Sequence, residues 1–201
     1  MTEAELRCEA YGHRSFKALS RDLESDLQRY LNKSPENQAA GNSFKSRLSA
    51  RLTPEWMALA VYRFSHFLYL NGWRRLSVVL FAVNSAMHRT FIPPSSCAGP
   101  GFHLPHPAGV TFIGSAGSDL TLYSLAVCCP LRWDDPADHG PFLGDRVLIG
   151  AHAAVMGPAR VGDDARFAPG VRVTQDIPQG RIGLNDFLRP RFVPQLALKE
   201  H

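Results

Sequence analysis

The chain has 201 residues, 45% of them hydrophobic and 20% charged, with a formal net charge of +4. This composition excludes a disordered or fibrous protein and supports one main core with a helical appendage. The basic residues are scattered without runs, which argues against nucleic-acid binding.

Residues 1–50 are polar and charged and read as a partly helical or flexible segment. Leu19, Leu23, Leu27 and Leu31 recur every four residues, as on one side of a helix. "NKSPENQAAGNS" at 32–43 reads as a linker. The charged opening residues do not have the pattern of a secretion signal, so a cytoplasmic protein is expected. Of the four cysteines, Cys8, Cys97, Cys128 and Cys129, none forms a C-x-x-C pair. Neither a zinc site nor a disulfide framework is expected, and the thiols are read as buried in a reducing compartment.

Residues 51–90 predict a two-helix lead-in. Thr53 is placed to cap the first helix, with Pro54 at its first position and Glu55 in its first turn. Apolar residues then run through "MALAVYRFSHFLYL" until Asn71-Gly72 stops the helix. The second helix contains "LSVVLFAVNSAM" at 76–87. A membrane span needs about 20 apolar residues, so this shorter stretch reads as a buried helix and no membrane span is expected.

Residues 91–180 carry the clearest pattern. Ile149, Val155, Val161, Phe167 and Val173 recur every six residues, and Ala153, Ala159, Ala165, Val171 and Ile177 follow each by four. Neither a helix nor a single strand has this period. It predicts a triangular β-solenoid with three hexads per turn, the aliphatic residue pointing inward and the small one at a corner. Gly150 and Gly162 follow inward residues, where a tight turn leaves no room for a side chain. The rhythm holds at Ile92, Ala98, Leu104 and Val110, slips towards 131, and is interrupted by a loop at 132–145. Residues 181–201 read as a C-terminal tail.

Two helices followed by hexads containing "LPHP" and a later "DH" loop resemble the serine acetyltransferase-like branch of the hexapeptide-repeat acyltransferases. "YRFSHFLYLNGWRR" is similar to the helical lead-in of that branch, and the resemblance covers about residues 55–178. It implies a mainly β protein, a left-handed parallel β-helix with an α-helical N-terminal region. It also implies a homotrimer that binds acetyl-CoA between neighbouring prisms and uses no metal.

The resemblance implies that His106, in the Leu104-Pro105-His106 motif, is the general base, and that His139 of the later loop lines the site. An imidazole can accept a proton near neutral pH as an alcohol attacks the thioester, while a backbone N–H or His139 stabilises the oxyanion. Ala151 and Pro169 fall at positions implied to bond the pantetheine arm, and Arg166 replaces a lysine that meets the cofactor. Arg160, Arg166 and Arg172 also read as one solvated face. His103 precedes inward Leu104 and reads as an outward surface residue, and His152 is given no role.

Three departures bear on the acceptor. Pro105 and Asp138 replace an aspartate and an arginine that hold an amino acid in serine acetyltransferases, and Phe91 replaces the acid that orients the base. Asp119, Asp134 or Asp135 could take over that orienting role. "IPPSS" and "LPHP" look closer to sugar and polysaccharide O-acetyltransferases. The expected activity is therefore acetyl transfer from acetyl-CoA to the hydroxyl of a sugar, polysaccharide or other non-serine alcohol. The alternatives are serine O-acetylation in cysteine synthesis and a solenoid binding module that has lost catalysis.

Overall fold

The computed structural model describes residues 8–33, 44–132, 140–185 and 190–194. From Phe91 onward the backbone winds as a prism with three sheet faces, the left-handed β-helix expected from the hexads. The first face stacks β1 (Cys97–Ala98), β3 (Ser115–Ala116), β6 (Phe142–Leu143) and β9 (Arg160–Val161). The second stacks β4 (Thr121–Leu122), β7 (Leu148–Ile149), β10 (Arg166–Phe167) and β12 (Arg181–Asn185), closed by antiparallel β13 (Pro190–Pro194). The third stacks β2 (Thr111–Phe112), β5 (Val127–Cys129), β8 (Ala154–Met156) and β11 (Arg172–Val173).

Parallel pairing puts like residues over one another. Leu122, Ile149 and Phe167 stack on the second face, and Cys128, Val155 and Val173 on the third. All are buried, as are the corner residues Ala153, Ala159, Ala165, Val171 and Ile177. Each fully buried aliphatic or phenyl side chain contributes about 1.5–3 kcal/mol, so a core one residue wide runs the length of the prism. Gly150 and Gly162 are needed for close approach rather than for an unusual φ. A Cβ on Gly150 would lie 2.6 Å from the Phe167 carbonyl oxygen, and one on Gly162 would lie 2.8 Å from Gln179 Cα.

The slipped rhythm has a simple cause. His103 pairs with Thr121 on the second face, and the chain then takes eight residues, not six, to reach Thr111 on the third. It takes only four from there to Ser115 on the first. The later insertion lies between β5 and β6, and the strand at Phe142 falls inside the stretch expected to be loop. Leu143 pairs with Ala116 and Val161 and fills the prism, which ends the loop early.

The described residues before the prism include α1 (Phe16–Lys33), α2 (Phe44–Arg51), α3 (Pro54–Leu70) and α4 (Arg74–His88). Thr53 caps α3 as expected, its side chain accepting the Trp56 N–H, and the chain turns at Asn71 and at Gly72 with φ +85°. Leu59 and Tyr62 of α3 join the prism core, and the Tyr62 hydroxyl donates to the Ser96 carbonyl at 2.9 Å. Leu27 and Leu31 of α1 form a second small core with Ala50 of α2. Much of the 1–50 segment is thus helix folded against the rest of the chain. Within the expected linker, residues 34–43 lie outside the described residues.

Two expectations are corrected. The apolar stretch at 76–87 forms α4, but that helix buries only Ser77 and Asn84. It meets α3 through polar contacts, Ser65 and Ser77 exchanging hydroxyl-to-carbonyl bonds at 2.8 Å and Asn84 donating to the Ala58 carbonyl. Leu76, Val78, Val79, Val83 and Met87 are left exposed. The second correction concerns sulfur. Cys128 is buried and free and Cys129 half-buried and free, whereas Cys8 and Cys97, 89 residues apart, are joined as a disulfide. Folding brings the helical segment onto the first coil, a proximity that spacing along the chain does not encode. Among the described residues no helix is long and apolar enough to cross a membrane.

Candidate active site

The long step from the second face to the third builds a corner out of residues 105–109. Leu104 is buried in the prism and His106 stands exposed on that corner. Pro105 and Pro107 bracket it and restrict the backbone. The Val110 N–H donates to the Pro107 carbonyl at 3.1 Å and the Gly109 N–H to Arg89 at 2.8 Å, so the imidazole projects from a tied turn. Among the described residues, no hydrogen bond or ion pair engages its ring. Gly109 is required here: its φ is +76°, and a Cβ would lie 3.0 Å from Leu125 Cγ in the next coil.

The same corner recurs above it. Leu125, His152 and Gly170 all take positive φ, at 59°, 58° and 76°. Their N–H groups donate to Ala108, Ser124 and Ala151 carbonyls in the coil beneath. One edge of the prism therefore carries His106, then Ser124-Leu125, Ala151-His152 and Pro169-Gly170. Coils are spaced by about 4.8 Å, which puts Pro169 roughly 14 Å along the edge from His106. Ala151 and Pro169, two of the three residues expected to meet the cofactor, thus share an edge with the expected base. The Ala151 carbonyl already accepts the Gly170 N–H, and Pro169 has no N–H to offer. His152 also lies on this edge. It was given no role because the family to which the sequence is similar usually has glycine at this position, although its neighbour Ala151 was expected at the site.

Arg166 is exposed on β10 of the second face, a few residues before that edge. Arg160, Arg166 and Arg172 do not share a face, because a six-residue interval moves each to the next side of the prism. Arg160 instead lies over the Phe142 ring at 5.1 Å. His103 is also corrected. It points out of the prism, but α1 covers it, with the Tyr30 ring stacked at 6.2 Å between centroids, so it is buried rather than a surface residue.

Phe91 is exposed and meets Phe81 edge-on at 5.1 Å, which leaves an apolar ring at the position of the orienting acid. Asp119 does not replace that acid. It sits on the corner between the first and second faces, paired with Arg29 of α1, which also reaches the Asp119 carbonyl and Thr121 Oγ1. His139, Asp134, Asp135 and Asp138 lie outside the described residues.

The bacterial transferase hexapeptide family, described by six repeats, matches residues 140–175. A serine acetyltransferase of Helicobacter pylori is 32% identical over 162 residues, covering 79% of this chain and 90% of its own. The chain belongs to the hexapeptide-repeat acyltransferases. A Mycobacterium tuberculosis serine acetyltransferase is 28% identical to this acyltransferase over 60% of its chain, which spans about half (53%) of that longer protein. The Neisseria gonorrhoeae serine acetyltransferase structure has a TM-score of 0.76 at 25% identity, covering 89% of this chain and 67% of its own. The Vibrio cholerae serine acetyltransferase, at 21% identity and TM-score 0.77, covers 89% of this chain and 66% of its own and shares the fold. These relatives make this acyltransferase an O-acetyltransferase. They are serine acetyltransferases, not the sugar enzymes to which "IPPSS" and "LPHP" pointed.

Proposed function

We propose that this O-acetyltransferase moves the acetyl group of acetyl-CoA to the hydroxyl of L-serine, with His106 as general base. The observation that carries the chemistry is the exposed His106 on a tied, proline-bracketed corner, at the foot of an edge that also carries Ala151 and Pro169. The choice of serine rests on the likeness to the Helicobacter pylori enzyme over nine-tenths of its length.

In the reaction, the His106 imidazole takes the hydroxyl proton as the oxygen attacks the thioester carbonyl carbon. The tetrahedral intermediate collapses, the carbon–sulfur bond breaks, and the imidazolium returns the proton to the departing thiolate of CoA. No covalent enzyme intermediate is needed, and position supplies much of the rate. Ala151 and Pro169 on the edge, and Arg166 before it, are proposed to hold the pantetheine arm. His139 is proposed as an oxyanion donor. We place the site between subunits of a homotrimer in the cytoplasm; the apolar face that α4 exposes supports association.

A second reading keeps the chemistry and changes the acceptor to an uncharged sugar hydroxyl. Pro105 beside His106 and the Phe91–Phe81 ring pair favour it, since neither offers a charge to an amino acid. Parallel assays of CoA thiol release with L-serine and with a panel of sugars test both. Turnover with serine at least tenfold above any sugar supports the first reading. The reverse order establishes the second, and no release with any acceptor leaves only the non-catalytic solenoid.

A further inference from the structure

The strongest cluster of chemistry outside the edge lies where the N-terminal segment, α3 and the first coil meet. Cys8, His13, His66 and Cys97 are all buried there, and one ligand atom from each lies within 4.8 Å of the others. His13 Nδ1 is 3.2 Å from His66 Nε2, Cys8 Sγ is 3.5 Å from His66 Nε2, and Cys97 Sγ is 3.9 Å from His13 Nδ1.

The outer contacts orient both rings. His66 Nδ1–H donates to the Pro94 carbonyl at 2.7 Å, and a carbonyl can only accept, so Nε2 presents a lone pair to the cluster. His13 Nδ1 lies within hydrogen-bond reach of that lone pair, and His13 Nε2 lies 3.1 Å from Asp22 Oδ2 without forming an aligned bond, so a metal that took Nδ1 would leave the Nε2 proton beside the carboxylate. Two ring nitrogens therefore face each other in a buried space, beside two sulfurs, and a metal there would replace the proton between them. Outer carboxylate and carbonyl partners of this kind are what metal-bound histidines use.

We propose that Cys8, His13, His66 and Cys97 form a closed, structural tetrahedral site for zinc, alternative to the Cys8–Cys97 disulfide. A tetrahedral site with zinc–sulfur and zinc–nitrogen bonds of ordinary length has edges of about 3.4 Å for N···N and about 3.6 Å for S···N. The observed 3.2, 3.5 and 3.9 Å approximate those edges. Two sulfurs and two nitrogens suit a borderline-soft cation. Two electrons and two protons from a dithiol reductant open the disulfide to two thiols, and zinc then displaces both thiol protons to bind the thiolates. All four positions are taken by the chain, so the ion would staple helices to prism and take no part in acetyl transfer.

The test uses the full chain, purified under a dithiol reductant, exposed to zinc and freed of loose metal by gel filtration. One zinc per chain is expected by elemental analysis. After exchange, cobalt(II) should give intense visible bands of a tetrahedral site with a thiolate charge-transfer band in the near ultraviolet. Cys8→Ser and His13→Ala should each lower retained zinc by about tenfold or more, whereas Cys128→Ser with Cys129→Ser should retain it. The cobalt spectrum of the unmutated chain decides the matter even if a variant fails to fold. Folded, reduced protein that retains no zinc, cobalt binding without a thiolate band, or a disulfide that persists in excess dithiol would each overturn the proposal.

Discussion

Arg63 of α3 and Asp26 of α1 form a two-pronged ion pair beneath the first coil, with Nε to Oδ2 at 2.8 Å and Nη2 to Oδ1 at 3.0 Å. The remaining donors of Arg63 reach the Ala98 and Gly99 carbonyls, and Asp26 accepts the Phe102 N–H at 2.8 Å. Burial pushes the Asp26 carboxyl up, and the guanidinium and the Phe102 N–H hold that rise in check. Two helices and the start of the prism thus share one desolvated charge pair. Asp26→Ala leaves the buried guanidinium with only the more distant Asp22 carboxylate, 4.0 Å away, and should lower unfolding free energy by about 3–5 kcal/mol. Urea titration followed by circular dichroism measures this. Combining it with Arg63→Leu should recover part of the loss, because the pair is worth less than either partner left alone.

His106→Ala should reduce kcat by about 10²–10⁴-fold while leaving the thermal midpoint unchanged, because the ring is exposed. The KM for acetyl-CoA should stay within a few-fold of its original value. A variant that keeps its turnover removes His106 from the base role.

Gly99→Ala should destabilise the prism by about 1–3 kcal/mol through overpacking. The added Cβ would lie 2.7 Å from the carbonyl carbon and oxygen of Gly117, and backbone in the next coil cannot swing aside. Thermal melting of the purified variant reads the effect directly.

The two free cysteines should differ in reactivity. Burial pushes both thiols up, and Cys128 points into the prism while Cys129 is half-exposed. Pulse alkylation at neutral pH, read by mass spectrometry, should label Cys129 slowly and Cys128 only in denaturant. Equal labelling in the native protein would show that the inward register at Cys128 is wrong.

Val79→Glu with Val83→Glu should convert the proposed trimer to monomers in sedimentation experiments. Both side chains are exposed on the apolar side of α4 in the isolated chain. An unchanged sedimentation coefficient places the subunit contact elsewhere.

The strict hexads from Ile149 to Val173 were legible because one residue type fills one repeated position in a narrow core. In the coil holding His106 the hexad interval reached Leu104, but His106 itself stood out only through its motif, since the eight-residue step that follows is not a hexad. Aliphatic content alone suggested that α4 is buried. Its polar residues Ser77 and Asn84, not its valines, turned out to face α3. The burial of His103 by Tyr30, the Arg29–Asp119 pair and the Cys8–Cys97 bond all join positions more than 70 residues apart. Local periodicity carries no information about such contacts.

The long and short steps around Thr111 have a wider consequence. What the corner at His106 gains in length, the following turn gives up, so every later strand returns to the phase it would have had anyway. The paired steps leave the strand register of the coils above unchanged. A solenoid with such a paired adjustment can lengthen the rim where chemistry happens, yet present it from a rigid wall.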